Sequence, residues 1–198
     1  MRIGVFGGTF DPPHVGHLLA AVDAFEALSL DKLIFVPAAL QPLKSSAPVN
    51  ASAEHRLEMV RCAVRDDPRF EVSAVEIQRG GLSYTVDTLE ALSGENPDAT
   101  FFLILGMDAF SAIERWKSPD RIRELATIAV LSREETGREA EVGSMIGVTL
   151  VGMRRIDVSS SEVRGRLRDG KAIRGFVTES VERYIATADL YRSEPSRE

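Results

Sequence analysis

The chain is poor in the residues that staple, span or coat. It has one cysteine, Cys62, one tryptophan, Trp116, and three histidines. A lone thiol excludes an internal disulfide framework and suits a reducing compartment. No stretch approaches the roughly eighteen apolar residues of a membrane span. Arg2 is followed by only a short apolar run before glycines interrupt it, so no secretory leader is read there. Basic residues are in deficit, with Lys+Arg 24 against Asp+Glu 30 and a formal charge of -6. That balance argues against a nucleic-acid partner or an anionic membrane and leaves room for a local basic pocket. Repeats, linkers and low-complexity tracts are missing. So are a Ser/His/Asp triad and paired carboxylates at catalytic spacing. These absences leave a soluble, cytoplasmic protein as the expectation.

What is present is a core. With 198 residues and 44% of them hydrophobic, residues 1–198 are expected to form one domain, frayed from about residue 193. Short apolar runs at residues 3–6, 32–37, 100–105, 128–131 and 148–151 read as buried strands. Phe70 and Val72 begin another, which Val75 and Ile77 are expected to continue. Helical spacing recurs after residue 14 to about Leu28, after Ser52 to Val64, from Thr85 through Leu89 and Leu92, and after Ser118-Pro119, with Ser118 at the cap and proline in the first turn. Residues 159–168 and 179–188 close the chain as helices. Residues 38–50 lack any period and form a loop. Strands alternating with helices, several apolar on both faces, predict an α/β fold. Its core would be a Rossmann-like, doubly wound parallel sheet with helices on both faces. Ligands then bind past the carboxyl ends of the strands, where Gly7-Gly8, Pro37 and Gly106 fall.

The first of those ends has the richest chemistry. A strand breaks at Gly7-Gly8, passes Asp11-Pro12-Pro13 and restarts as a helix near His14 and His17. Glycines admit close approach of the backbone, and the free N–H groups of a helix start face an anion. His14 and His17, three apart, can project to one side of that first turn. A phosphate there would readily charge a histidine near neutral pH. The plain alternatives are a metal pair or surface histidines. Zinc would need a third ligand, and His55 with Cys62 seven residues on has no ligand spacing, so no metal site is expected.

The run Gly7-Gly8-Thr9-Phe10-Asp11-Pro12-Pro13-His14-Val15-Gly16-His17 resembles the signature of the nucleotidyltransferase superfamily that has a His-x-Gly-His motif. Later stretches narrow the resemblance to bacterial nicotinate-nucleotide adenylyltransferases. Glu76-Ile77-Gln78-Arg79 with Ser83-Tyr84-Thr85-Val86-Asp87-Thr88-Leu89 resembles that family's pyridine-holding segment. Leu105-Gly106-Met107-Asp108-Ala109-Phe110 with Trp116 resembles its glycine-x-aspartate turn and stacking tryptophan. Asp157-Val158-Ser159-Ser160-Ser161-Glu162-Val163-Arg164 resembles its second phosphate motif. Val181-Glu182-Arg183-Tyr184-Ile185 and Leu190-Tyr191 are similar to its closing helix. The likeness spans residue 1 to about 191 in order.

The resemblance implies a reaction between ATP and nicotinate mononucleotide that releases pyrophosphate and forms deamido-NAD, with Mg²⁺ carried on the ATP. It implies catalytic roles for His14, His17 and Arg164, and ATP contacts at Gly7, Gly8, Thr9, Phe10, Gly106, Asp108, Ser159 and Ser160. Lys44, Tyr84, Thr85 and Trp116 would hold the mononucleotide, its carboxylate on backbone donors around Tyr84 and Thr85. Each residue also has a plain reading. Ser159 with Glu162 is a capping box, Asp108 and Thr85 can be helix caps, Trp116 can be core, and Lys44 can be a solvated surface charge. Two positions depart from the family. Leu43 stands where a histidine is usual, which removes a donor, and Thr178 replaces a proline before the last helix. The rival readings are a phosphopantetheine adenylyltransferase, a nicotinamide-preferring enzyme and a nucleotide sensor without turnover. Assembly into a homo-oligomer is left open, because family members vary.

Overall fold

A computed structural model describes residues 1–42, 50–132, 147–154 and 156–192. Its centre is one sheet of six parallel strands in the order β3-β2-β1-β4-β5-β6. The strands are β1 Arg2–Gly8, β2 Lys32–Pro37, β3 Phe70–Val72, β4 Thr100–Gly106, β5 Ala126–Ser132 and β6 Val148–Gly152. Among the described residues the helices are α1 Val15–Ala27, α2 Ala53–Val64, α3 Val75–Arg79, α4 Thr85–Glu95, α5 Met107–Ser111, α6 Pro119–Leu125, α7 Ser160–Arg168 and α8 Glu179–Thr187.

The apolar runs are continuous because both faces of the sheet are covered. Along β1, Ile3 and Val5 point into one layer, with Val86, Leu89 and Leu92 of α4 and Ile122 of α6. Phe6 points into the other, with Ala20, Ala21 and Ala24 of α1 and Val60 and Val64 of α2. β4 repeats the alternation, with Phe101, Leu103 and Leu105 on one side and Phe102 and Ile104 on the other. A third cluster seals the outside of α2, where Met59 meets Val163 of α7 and Val181 and Ile185 of α8. Strand order reverses beside β1, which pairs with β2 on one edge and β4 on the other. In doubly wound sheets that reversal opens the crevice where ligands bind.

Most expected elements are found within a residue or two. Ser52 caps α2 by accepting from the His55 N–H at 3.3 Å. Thr178 caps α8 by accepting from the Val181 N–H at 3.3 Å, so its replacement of proline leaves the helix start intact. Three expectations are corrected. Val75 and Ile77 do not extend β3 but lie in α3. Ser73 Oγ accepts the Val75 N–H at 3.3 Å and turns the chain, and the segment buries Glu76 rather than a hydrophobic residue. Thr85 is the first residue of α4, and Tyr84 is the cap position. Ser118 precedes Pro119 at the start of α6 but sits at φ 52 without a side-chain cap bond. Lys44 and Leu43 lie outside the described residues, as do residues 193–198. Among the described residues no helix is long and apolar enough to cross a membrane.

Candidate active site

The turn after β1 is shaped by aromatic packing. Phe10, at φ 50, folds its ring back beneath the strand end and packs against Phe6, Phe35 and His17. A Cβ on Gly8 would lie 2.9 Å from the Phe10 ring, so only glycine fits there. The chain then passes a cis Asp11-Pro12 bond and enters α1 with His14 at the cap position. A Cβ on Gly16 would stand 3.0 Å from the His14 ring, which accounts for the glycine between the two histidines.

His14 and His17 face each other with ring centroids 3.8 Å apart. The His14 backbone N–H donates to His17 Nδ1 at 3.2 Å. A backbone N–H can only donate, so Nδ1 carries a lone pair and the ring proton of neutral His17 is on Nε2. The dense packing around His17 holds its pKa well below the ordinary 6.5, and the nearby His14 lowers it further. His17 keeps part of its surface open to the crevice, but the Phe10 and Phe6 rings and the α1 turn displace water from most of it. Neutral His17 is therefore the form native to the folded protein. The unfolded chain binds this proton more readily than the folded one. Stability from this group is complete above about pH 6.5 and is lost as the pH falls through the lower folded value. Denaturant midpoints measured between pH 7.5 and 5 should fall with pH, and His17→Asn should flatten that slope; an equal slope in both proteins would refute the assignment.

Across the strand ends opens a crevice of about 1090 Å³. One wall is the turn, with Gly7, Gly8, His14 and His17. Gly106 at the end of β4 and Asp108 in the first turn of α5 form its floor, and Ser159 and Ser160 close it from the start of α7. The opposite wall is Ser83, Tyr84 and Thr85 with Trp116 and Lys117. That wall is braced from within. The Thr88 hydroxyl donates to the buried Glu76 carboxylate at 2.7 Å, and Arg79 Nη2 donates to Thr88 Oγ1 at 3.2 Å. Lys117 Nζ rests 4.9 Å above the Tyr84 ring and donates to Asp87 Oδ1 at 2.8 Å. Ser83 Oγ accepts the Ala39 N–H at 2.9 Å, tying this wall to the end of β2.

A family model for cytidylyltransferase-like proteins matches residues 5–166. A Gemmatimonas aurantiaca protein described as a "probable nicotinate-nucleotide adenylyltransferase" is 47% identical over 201 residues, covering 98% of this chain and 94% of that one. A Thermus thermophilus protein of the same description is 45% identical over 192 residues, covering 97% of this chain and 100% of that one. This chain belongs to the nicotinate-nucleotide adenylyltransferase family. A solved Plasmodium falciparum nicotinic acid mononucleotide adenylyltransferase, complexed with NaAD, shares the fold. Its TM-score is 0.77 at 18% identity, covering 96% of this chain and 97% of that one.

Within this adenylyltransferase-family crevice most of the expected residues converge, and three stand back. The Phe10 side chain is buried behind His17 and does not line the crevice. Thr9 is also off the lining, its carbonyl engaged by Arg56 at 2.8 Å. Arg164 donates from Nη1 to the Asp11 carbonyl at 2.6 Å and from Nη2 to Ser161 Oγ at 3.2 Å, behind the crevice surface. Ser160 Oγ donates to the Pro12 carbonyl at 2.8 Å, so α7 is moored to the same turn. Sequence reasoning missed Arg56 and Lys117 as site-shaping residues, and placed Asp11 and Glu76 within site motifs without a role of their own. For Arg56 a signal was available: it falls four residues before Val60 and eight before Val64 on the buried stripe of α2, where a charge is out of place.

Proposed function

We propose that this protein transfers the adenylyl group of ATP to nicotinate mononucleotide, releasing pyrophosphate and forming deamido-NAD in NAD biosynthesis. The observation that carries the reading is the meeting of the Gly7–His17 turn with the Ser83, Tyr84, Thr85 and Trp116 wall across one crevice. An oxygen of the mononucleotide phosphate attacks the α-phosphorus of ATP. The bond from that phosphorus to the oxygen bridging the β-phosphate breaks, and pyrophosphate leaves with the bridging oxygen. The attacking oxygen is already anionic at neutral pH, so no general base is required. Catalysis is then positioning and neutralisation of charge that builds on the phosphates.

In this reading the backbone at Gly7 and Gly8, the first turn of α1, Ser159 and Ser160 hold the triphosphate, and Thr9 and Phe10 shape that turn from behind. His17, through Nε2–H, and His14 stabilise the charge developing at the α-phosphate. Arg164 adds a fixed positive charge behind them. Gly106 and Asp108 take the adenosine ribose, and Asp108 accepts from its hydroxyls. Tyr84 and Thr85 receive the nicotinate carboxylate on backbone donors, Trp116 stacks on the pyridine ring, and Lys44 meets the mononucleotide phosphate. Among the described residues no three His, Cys, Asp or Glu side chains converge as metal ligands. A divalent cation, Mg²⁺, would enter on the ATP phosphates and screen their charge. The whole chain, residues 1–198, acts as one nucleotidyltransferase domain.

Pyrophosphate release on mixing the protein with ATP and each mononucleotide tests the proposal. Nicotinate mononucleotide should support release and should outcompete nicotinamide mononucleotide when both are present. Release with neither acceptor, or preference for the amide, would overturn the substrate assignment.

A further inference from the structure

Beside the crevice, and not lining it, lie two deeply buried ionisable side chains, Asp11 at 4% and Arg56 at 1% exposure. The three nitrogens of the Arg56 guanidinium reach three separate carbonyls. Nη1 donates to Thr9 at 2.8 Å, Nη2 to Ala39 at 3.0 Å and Nε to Ala51 at 3.3 Å. Thr9 follows the crevice-lining Gly8, and Ala39 follows the crevice-lining Ala38. The Asp11 carboxylate gathers donors from the same region and from far along the chain. It accepts the Asn50 N–H at 2.8 Å, the Ala51 N–H at 3.2 Å and the Tyr191 hydroxyl at 2.7 Å. Desolvating a guanidinium and a carboxylate is costly unless their hydrogen bonds are met. Here they are met almost wholly by the backbone on either side of the turn. The planar fork of arginine fixes the separation of its acceptors in a way that a lysine or an apolar side chain cannot.

Resting on the adenylyl-transfer reading, we infer that Asp11, Arg56 and Tyr191 are positioning residues: a buried clamp that sets the backbone of the phosphate turn without touching substrate. The clamp acts on the half of the site that would hold the triphosphate. Towards the Ser83, Tyr84, Thr85 and Trp116 wall it reaches through Ala39, whose carbonyl accepts from Arg56 and whose N–H donates to Ser83 Oγ. Loss of its Asp11–Tyr191 arm should therefore separate the two substrates, weakening ATP more than the acceptor. A purely structural role would lower the amount of folded protein and leave the constants of each folded molecule intact.

The experiment compares the unaltered protein with Tyr191→Phe, which removes one hydroxyl and keeps the ring, and with Asp11→Asn. ATP affinity is read by calorimetry without acceptor, and KM and kcat are then measured for both substrates. We expect ATP to bind about tenfold more weakly in Tyr191→Phe, and kcat/KM for ATP to drop about 10²-fold in Asp11→Asn, the scale of a small misplacement of reacting groups. KM for nicotinate mononucleotide should change by less than the ATP constants. Unchanged ATP affinity and unchanged constants in folded Tyr191→Phe would overturn the inference, whatever the folding of Asp11→Asn. So would a loss confined to the active fraction. Failure of the unaltered protein to turn over would count against the adenylyl-transfer reading, while the calorimetric comparison still decides the clamp.

Discussion

Replacing His17 with alanine should slow turnover at saturating substrates by about 10²–10³, the effect of removing one preorganised donor from a site where charge develops. That expectation rests on how the ring is held. Its Nδ1 accepts the His14 N–H, its flank packs against the edge of Phe10, and its position in the first turn of α1 leaves Nε2–H as the remaining polar group. In the free protein the ring is neutral, so it offers a hydrogen bond rather than a full charge. In the proposed transfer, that donor would strengthen as the α-phosphate gains charge, without reorganising. Alanine also strips the His14 N–H of its acceptor, so His17→Asn is the companion variant: it offers a replacement acceptor but no imidazole. Stopped-time pyrophosphate assays at saturating ATP and mononucleotide give the answer. A kcat within a factor of about two of the unaltered protein would remove His17 from the catalytic step.

The largest expected effect on stability belongs to Arg56→Met. Methionine fills much of the volume but leaves the Thr9, Ala39 and Ala51 carbonyls without the donors they have now. A buried acceptor left unmade costs about 1–3 kcal/mol. Two of these carbonyls lie in only partly buried surroundings, where water can replace the lost donor. The sum expected is therefore about 3–5 kcal/mol, the range seen when one side of a buried charged arrangement is removed. That is a large share of the about 5–15 kcal/mol that holds a folded domain together. Urea unfolding followed by tryptophan fluorescence of Trp116 measures it, and a loss below about 1 kcal/mol would mean that the three contacts contribute almost nothing net.

Local pattern made the sheet legible. Residues 3–6, 32–37 and 100–105 are apolar without a break, as strands buried on both faces must be, and Ser52 with an apolar spacing behind it announces α2. The segment at Val75 and Ile77 misled for a physical reason. A one-turn helix whose inward residue is Glu76 leaves no apolar period to read, and the Ser73 side chain that ends the strand does so by a local bond to the backbone. The crevice walls were legible because they stay close to their motifs: Gly7, Gly8, His14 and His17 on one side, Tyr84, Thr85 and Trp116 on the other. The partners of Asp11 and Arg56 were not, although Arg56 stood out as a charge on the apolar stripe of α2. Each is defined by partners that are distant in sequence, and no window along the chain contains Arg56 with Thr9 or Asp11 with Tyr191. Phe10 sat inside the right motif, yet its side chain serves the interior, because glycine at 8 lets the ring fold under the strand.

The tie between Asp11 and Tyr191 joins residues 180 positions apart, and it has a consequence for synthesis. Synthesis makes the turn before the residues that moor Asp11, which are Asn50, Ala51, Arg164 and finally Tyr191. A nascent chain therefore carries the whole histidine motif long before it can hold the motif in its finished shape. The finished geometry of the turn therefore waits for residue 191.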